Sequence, residues 1–124
     1  SAGFDLAVVG DLLILPGETV MASTGVCVEC PDGHYLQVQA RSSLAKKMGL
    51  VVVNGVGIID GDYSGPDDQI FVLLRNISKY DVFVANGTRV AQGIFVAFAQ
   101  ADFVNEAMTA ADRGGHGSTG GYFM

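Results

Sequence analysis

Short β-branched runs, separated by glycine, proline, asparagine and aspartate, restrict this chain to β folds. The turns are explicit at residues 16–17 (Pro-Gly), 31–33 (Pro-Asp-Gly) and 86–87 (Asn-Gly), and such combinations are typical turn formers. The runs between them predict strands near residues 5–8, 12–15, 19–24, 26–30, 35–40, 50–53, 58–59, 70–76, 82–84 and 88–98. Only residues 42–48 (SSLAKKM) predict a helix, with Ser42 or Ser43 as its N-cap.

Many short strands with almost no helix indicate a single-domain β-sandwich or jelly roll. The 124 residues suffice for one domain, and a hydrophobic content of 49% supplies a sizeable core. We expect a β domain over residues 1–110 and a flexible arm over residues 111–124. A small β domain with exposed edges also favours oligomerisation.

The charge balance limits the partners that this chain can bind. It carries 13 acidic residues against 7 Lys and Arg, a formal net charge of −6. Nucleic acid normally requires a basic face, so we exclude it as a partner. An anionic ligand would need a local cluster drawn from Arg41, Arg89 and Arg113, or a bound divalent cation. The apolar runs are too short to span a membrane, and we expect a cytoplasmic protein, cellular or viral, with no membrane partner.

Cys27 and Cys30 form a CxxC pair with His34 close behind. Such a pair can be half of a zinc site or a redox couple. We favour a structural role, because a spacing of three along a predicted strand puts the two thiols on opposite faces. The chain also offers no second ligand pair of the kind that zinc sites need.

The last residues, 112–124 (DRGGHGSTGGYFM), are rich in glycine and have no apolar periodicity. Fixing glycine costs more backbone entropy than fixing any other residue, so such a segment orders only when it gains contacts. Arg113, Ser118, Thr119 and free backbone N–H groups are donors that suit phosphate oxygens. The alternative is a disordered terminus without function.

Four further segments place polar residues or glycine where a purely structural β protein has no need of them. They are residues 2–6 (AGFDL), 40–45 (ARSSLA), 54–65 (NGVGIIDGDYSG) and 86–92 (NGTRVAQ). The third predicts a β-hairpin whose glycines let a ligand approach the backbone. Asp60 follows its apolar run and suits a general base toward water. Asp62 is better explained as a turn or supporting residue.

In this order and spacing, the four segments and the C-terminal RGGHGSTGG resemble the five motifs of the homotrimeric dUTPase family. The resemblance spans essentially the whole chain and is far more specific than any one segment. It implies a jelly-roll subunit that assembles into a threefold trimer. It also implies active sites at subunit boundaries, each closed by residues 111–124 of a neighbouring subunit.

The resemblance assigns catalysis to Asp60, which would activate a water for in-line attack on the α-phosphorus of dUTP. The products would be dUMP and pyrophosphate, so the reaction would limit uracil in DNA and supply dUMP for thymidylate synthesis. Uracil would be bound by Asn54 and by the backbone of the third segment, including Gly57 and Ile59. Tyr63 would pack against deoxyribose and exclude a 2′-hydroxyl.

The resemblance also implies how the phosphates are held. The residues in those positions are Arg41, Ser42, Ser43, Gln92 and Arg113. The C-terminal arm, residues 111–124, would act as a lid over the site. This lid would contribute His116, Gly117, Ser118 and Thr119, with His116 over the base. Mg²⁺ would be chelated mainly by the triphosphate and by water, with Asp5 as an outer-shell contributor.

The chain departs from the family pattern in several places. His116 stands where a stacking Phe is usual, and the stretch from Arg113 to His116 is about two residues shorter. Residues 66–69 form an insertion that predicts a surface loop. The chain opens directly on the first segment, where relatives carry a preceding strand, so we expect a trimmed chain or an altered trimer packing.

Two other functional classes share this fold. A dCTP deaminase, alone or as a bifunctional enzyme, carries a carboxylate on the strand after the third motif, and residues 70–76 contain none. Lys46 also stands where those enzymes commonly have Arg. A trimer that binds nucleotides without catalysis is the other alternative, and Asp60 beside a glycine-rich backbone argues against it.

Overall fold

The structure is a computed structural model, and it describes residues 1–115. This part of the chain contains nine strands and one short helix. The elements are β1 Phe4–Ala7, β2 Leu12–Ile14, β3 Thr19–Ser23, β4 His34–Ala40, α1 Leu44–Met48, β5 Leu50–Val52, β6 Val56–Ile59, β7 Phe71–Asn76, β8 Val82–Val84 and β9 Arg89–Ala97. The prediction of an all-β fold with one short helix is confirmed.

All the strand pairs are antiparallel, and they form three sheets. The largest has the order β1-β9-β4-β6, a second has the order β3-β7-β5, and β2 pairs with β8. Each sheet turns one face to a shared core, as Leu36 of β4, Leu74 of β7 and Ile14 of β2 are fully buried. Burying a side chain of this size stabilises the fold by roughly 1.5–3 kcal/mol.

A buried asparagine joins two of these sheets. The Asn76 side-chain amide donates to the carbonyls of Ile14 (2.9 Å) and Tyr80 (2.6 Å), and its oxygen accepts from the Ser78 backbone N–H (2.8 Å). Asn76 is fully buried, and both its amide nitrogen and its oxygen have hydrogen-bond partners. Such a satisfied network holds the end of β7 against the end of β2.

The helix α1 begins after Ser43, which occupies the N-cap position as predicted but makes no side-chain capping hydrogen bond. The helix ends at Met48 and is capped by Gly49, whose φ of 65° is left-handed. A Cβ at Gly49 would lie 2.9 Å from the Cβ of Ser78, so both the backbone and the packing require glycine here.

The strand predicted over residues 26–30 is wrong. The β3–β7 ladder ends at the pair Ser23 and Phe71, and Gly25 then takes a left-handed φ of 67°. Beyond it the Val26 carbonyl accepts one hydrogen bond, from the Ile70 N–H at 2.8 Å. The chain therefore leaves the sheet, although its residues favour β structure locally.

The hairpin predicted over residues 54–65 is also wrong. Only Val56–Ile59 is a strand, and it pairs with β4, whereas β5 belongs to the other sheet. The turn at Asn54 and Gly55 therefore carries the chain from one sheet to the next. Gly55 makes this possible with a φ of 71° and an N–H that donates to the Val52 carbonyl at 3.0 Å.

Within residues 1–115, no helix is both long and apolar enough to cross a membrane.

Candidate functional site

Strand β6 lies at the edge of the four-stranded sheet. Among the described residues it pairs only with β4, so its other edge presents backbone N–H and C=O groups. Gly57 lies in the middle of this strand, and a Cβ there would meet the Val38 Cβ at 3.4 Å and the Asn54 amide nitrogen at 3.7 Å. Asn54 thus stands beside the one position of β6 that has no side chain.

Asp60 follows β6 directly and opens onto a cleft of about 370 Å³. The cleft, which we call the acidic cleft, is lined by Ile58, Ile59, Asp60, Asp62, Tyr63, Gln69 and Phe71. Asp60 is exposed, and both ion pairs found among residues 1–115 involve Asp5 instead. The Asp60 carboxylate is therefore able to accept a proton from a water in the cleft.

Tyr63 forms one wall of the acidic cleft and is 36% exposed. Its backbone N–H donates to the Asp60 carbonyl at 3.1 Å, which closes a tight turn between the two residues. Its hydroxyl donates to the Gln69 carbonyl at 2.8 Å. Tyr63 is therefore held at both its backbone and its hydroxyl, with the ring free to contact a ligand.

A second cleft, of about 520 Å³, is lined by cations. This basic cleft is formed by Arg41, Ser43, Leu44, Lys47, Met48, Gly87, Thr88 and Arg89. Asp5 pairs with both arginines: its Oδ1 lies 3.2 Å from Arg41 Nε and its Oδ2 lies 3.6 Å from Arg89 Nη1. Exposed pairs like these contribute little to stability, but they orient the two guanidinium groups.

Gln92 belongs to the same region. It pairs with Asp5 across β1 and β9, and its side-chain amide donates to the Ala40 carbonyl at 3.1 Å. Ser42 is exposed at the start of the turn that leads into α1. The structure thus brings together Asp5, Arg41 and Gln92 from three separate segments of the sequence.

The acidic and basic clefts are far apart on one chain. Asp5 pairs with Gln92, Gln92 with Gln39 and Gln39 with Val56, so these residues form one row across the sheet. Asp60 lies four residues beyond Val56 along the chain and three strand spacings away from Asp5. With about 4.8 Å between strands and 3.3 Å per residue, Asp5 and Asp60 are separated by roughly 20 Å.

The predicted lid contributes little that the structure describes. Arg113 is exposed, and its guanidinium donates to the carbonyl of the adjacent Gly114 at 3.4 Å. The predicted residues His116, Gly117, Ser118 and Thr119 lie outside the described residues. The division into a domain over 1–110 and a lid over 111–124 therefore stays a prediction.

Cys27 and Cys30 are both free thiols. They donate to the carbonyls of Pro66 (3.6 Å) and Ile59 (3.9 Å), so one thiol contacts the loop that carries Asp60 and the other contacts the end of β6 just before it. The segment is no strand, which removes the premise that placed the thiols on opposite faces. Within residues 1–115, no three His, Cys, Asp or Glu side chains are grouped closely enough to hold a metal ion.

Gln69 and Lys47 also line the two clefts, and sequence reasoning did not select them. Lys47 lies in the helix beside the selected serines, and its helical spacing was the available signal. Gln69 closes the insertion at residues 66–69, which was interpreted only as a surface loop. That loop is held by its own bonds, since the Gly65 N–H donates to the Asp68 carboxylate at 3.0 Å.

Comparison with known proteins assigns the chain to a family. The family model described as dUTPase matches residues 1–120. The chain is 45% identical over 127 aligned residues to the deoxyuridine 5′-triphosphate nucleotidohydrolase of Caulobacter vibrioides, covering 97% of this chain and 80% of the relative. It is 39% identical over 124 residues to the enzyme of the same name from Hydrogenobaculum, covering 97% of this chain and 84% of the relative.

Solved structures give the same result. The dUTPase of Streptococcus mutans superimposes with a TM-score of 0.78 at 39% sequence identity, covering 83% of each chain. The dUTPase of Staphylococcus bacteriophage 80alpha, solved with dUPNHPP, superimposes with a TM-score of 0.81 at 23% identity, covering 97% of this chain and 86% of that one. The second likeness concerns the fold alone. Both comparisons identify the fold as the jelly-roll type.

Proposed function

The chain belongs to the dUTPase family, and from this membership we propose that it hydrolyses dUTP to dUMP and pyrophosphate. The observation that carries the proposal is the exposed Asp60 carboxylate, which ends a free sheet edge and faces a cleft without an ion-pair partner among the described residues. The reaction would lower the dUTP available for DNA synthesis and supply dUMP, and we place it in the cytoplasm.

The edge of β6 suits recognition of uracil. A flat heterocycle with alternating donors and acceptors can bind an open strand edge as a further strand would. Gly57 leaves space for that approach, and Asn54 supplies an amide beside it. Cytosine has the opposite donor and acceptor pattern at the same edge, so it would leave buried polar groups unpaired. The backbone of Gly57 and Ile59 would therefore select the base.

Asp60 would act as the general base. Its carboxylate would take a proton from a water as the water oxygen attacks the α-phosphorus. The bond between the α-phosphorus and the bridging oxygen to the β-phosphorus would break, and pyrophosphate would leave with that oxygen. Tyr63, in the same cleft, would contact the deoxyribose and leave no space for a 2′-hydroxyl.

The basic cleft would hold the phosphates. Arg41, Ser42, Ser43 and Gln92 offer donors for phosphate oxygens, and Arg113 would add a further guanidinium from the lid. dUTPases as a family depend on a metal, and we assign Mg²⁺, which prefers phosphate oxygens and water to a cage of protein ligands. Bound to the triphosphate, it would neutralise charge on the leaving group. Asp5, which pairs with Arg41 and Arg89, would contribute to its outer shell.

We propose that a complete site needs residues from more than one chain. The roughly 20 Å between the backbones of Asp60 and Asp5 is long for one substrate to bridge, which supports a site whose base and arginines come from different chains. We infer a homotrimer in which the acidic cleft of one subunit faces the basic cleft of a neighbour. The lid, residues 111–124, would close each site, with His116 over the base and Gly117, Ser118 and Thr119 beside the ligand.

The test is release of pyrophosphate from dUTP, dCTP, dTTP and UTP with Mg²⁺. Turnover restricted to dUTP supports the proposal. Ammonia released from dCTP would support a deaminase instead, although β7 carries no carboxylate for that chemistry. Tight binding of dUTP without any turnover would indicate the non-catalytic alternative.

A further inference from the structure

We propose that Gln69 is a positioning residue that fixes Tyr63 and thereby sets the preference for deoxyribonucleotides over ribonucleotides. The inference rests on the proposed function, in which Tyr63 contacts the deoxyribose. Gln69 contacts Tyr63 through its backbone carbonyl. Its side chain contacts the end of the three-stranded sheet.

Two sets of hydrogen bonds meet at Gln69. Its backbone carbonyl accepts the Tyr63 hydroxyl at 2.8 Å. Its side-chain oxygen Oε1 accepts from the Ser23 hydroxyl and from the Gly25 N–H, the latter at 3.0 Å. The Gly25 N–H can only donate, so the oxygen of the amide faces it.

The side chain of Gln69 is bound to a rigid part of the fold. Ser23 ends strand β3, which is paired with β7 along its whole length from Thr19 to Ser23. Residues 60–69, by contrast, contain no strand, and Tyr63 is exposed. The amide of Gln69 therefore transfers the rigidity of the three-stranded sheet to a loop that lacks a ladder of its own. Exclusion of one hydroxyl by a ring requires that the ring stay within a fraction of an ångström.

The hydrogen bonds of the Gln69 side chain can be tested separately from its packing. In both of them the Gln69 oxygen is the acceptor, so a glutamate carboxylate can replace the amide and a methionine thioether cannot. The Tyr63 partner is a backbone carbonyl that every substitution preserves. A change at Gln69 therefore acts on Tyr63 only by displacing that carbonyl.

The experiment compares kcat/KM for dUTP with kcat/KM for UTP. We expect Gln69→Met, which removes both hydrogen bonds that the side chain accepts, to lower the dUTP-to-UTP ratio by about tenfold. Ser23→Ala removes one of the two and should lower the ratio by less. Gln69→Glu should keep the ratio within about twofold of the parent. Asp67→Asn, on the same loop, is the matched control and should leave the ratio unchanged.

A double-mutant cycle identifies the route. Tyr63→Phe removes the hydroxyl that Gln69 holds, so Gln69→Met should add little to the loss of discrimination in that background. An unchanged ratio in a folded Gln69→Met variant would overturn the inference. So would equal losses for dUTP and UTP, or additive effects of the two substitutions.

A readout without activity separates this inference from the proposed function. Hydrogen exchange at the Gly25 amide should accelerate in Gln69→Met, and the NMR signals of the Tyr63 ring should shift, while Gln69→Glu keeps both at parental values. If the parent protein does not hydrolyse dUTP, the proposed function fails, and these signals still decide whether Gln69 holds Tyr63. Unchanged signals in Gln69→Met would refute the holding role.

Discussion

The acidic cleft lies beside the edge strand β6, the basic cleft lies where β4 ends and β9 begins, and the two clefts are built differently. In the acidic cleft, Asp60 follows an edge strand and pairs with no cation among the described residues. In the basic cleft, Asp5 already pairs with Arg41 and Arg89. The first cleft offers a free base without cations, and the second offers cations whose nearby carboxylate is engaged. Under the proposed function, each cleft would therefore carry half of the site that cleaves dUTP.

Removing the proposed base, Asp60, should have the largest effect on activity. Asp60→Asn keeps the size and most of the hydrogen-bonding capacity of the side chain but cannot take a proton at neutral pH. We expect kcat to fall by about 10²–10⁴-fold, the usual contribution of a general base. The Kd for dUTP, measured by calorimetry in the presence of Mg²⁺, should change by less than about threefold, because the basic cleft is intact.

Asp62→Asn is the matched control for that substitution, since Asp62 lines the same cleft two positions further along the same loop. Its kcat should stay within a few-fold of the parent. Equal losses in the two variants would mean that the cleft needs negative charge in general rather than one base. The assignment of Asp60 would then be wrong.

The local parts of the two clefts could be predicted from the sequence, and their arrangement could not. Asp60 and Arg41 were selected because short segments carry their chemistry, and most strands followed from β-branched runs bounded by turns. The separation of the clefts depends on which strands become neighbours, and β4 contacts β6 and β9 only through long-range pairing. Local composition does not encode such pairing.

The same reason explains the two wrong elements and the missed residue. Residues 26–30 favour β structure, but the left-handed Gly25 takes them out of the ladder. The predicted hairpin at residues 54–65 is wrong because that span contains only one strand, β6, which pairs with the distant β4. Gln69 was missed because its anchor, Ser23, is 46 positions away in the sequence.

Mixing two inactive variants tests whether the clefts come together between chains. Asp60→Asn lacks the proposed base, and Arg41→Ala lacks a cation proposed to bind phosphate. If one subunit supplies the acidic cleft and a neighbour supplies the basic cleft, random reassembly in equal amounts gives about a quarter of the sites both intact halves. Activity should therefore rise from near zero to about a quarter of the parental value.

The control for that mixture is the double variant carrying both substitutions, mixed with the parent protein. It contains the same side chains in the same total amounts, and about a quarter of its sites join two parental halves as well. Mixtures that stay as inactive as the separate variants, while the control mixture regains activity, would place both halves of each site within one chain.

The smallest effect concerns the carboxylate that orients the basic cleft. Asp5→Asn removes the charge that pairs with Arg41 and Arg89, while the amide keeps the size of the side chain. Because exposed ion pairs are weak, we expect the KM for dUTP to change by about two- to fivefold at saturating Mg²⁺, with kcat little changed.

An outer-shell role at the metal predicts a different result, namely a higher Mg²⁺ concentration for half-maximal activity at saturating dUTP. Measuring both titrations on one preparation decides between orientation of the arginines and support of the metal. If neither titration moves, Asp5 serves only the strand pairing of β1, and the basic cleft does not need its carboxylate.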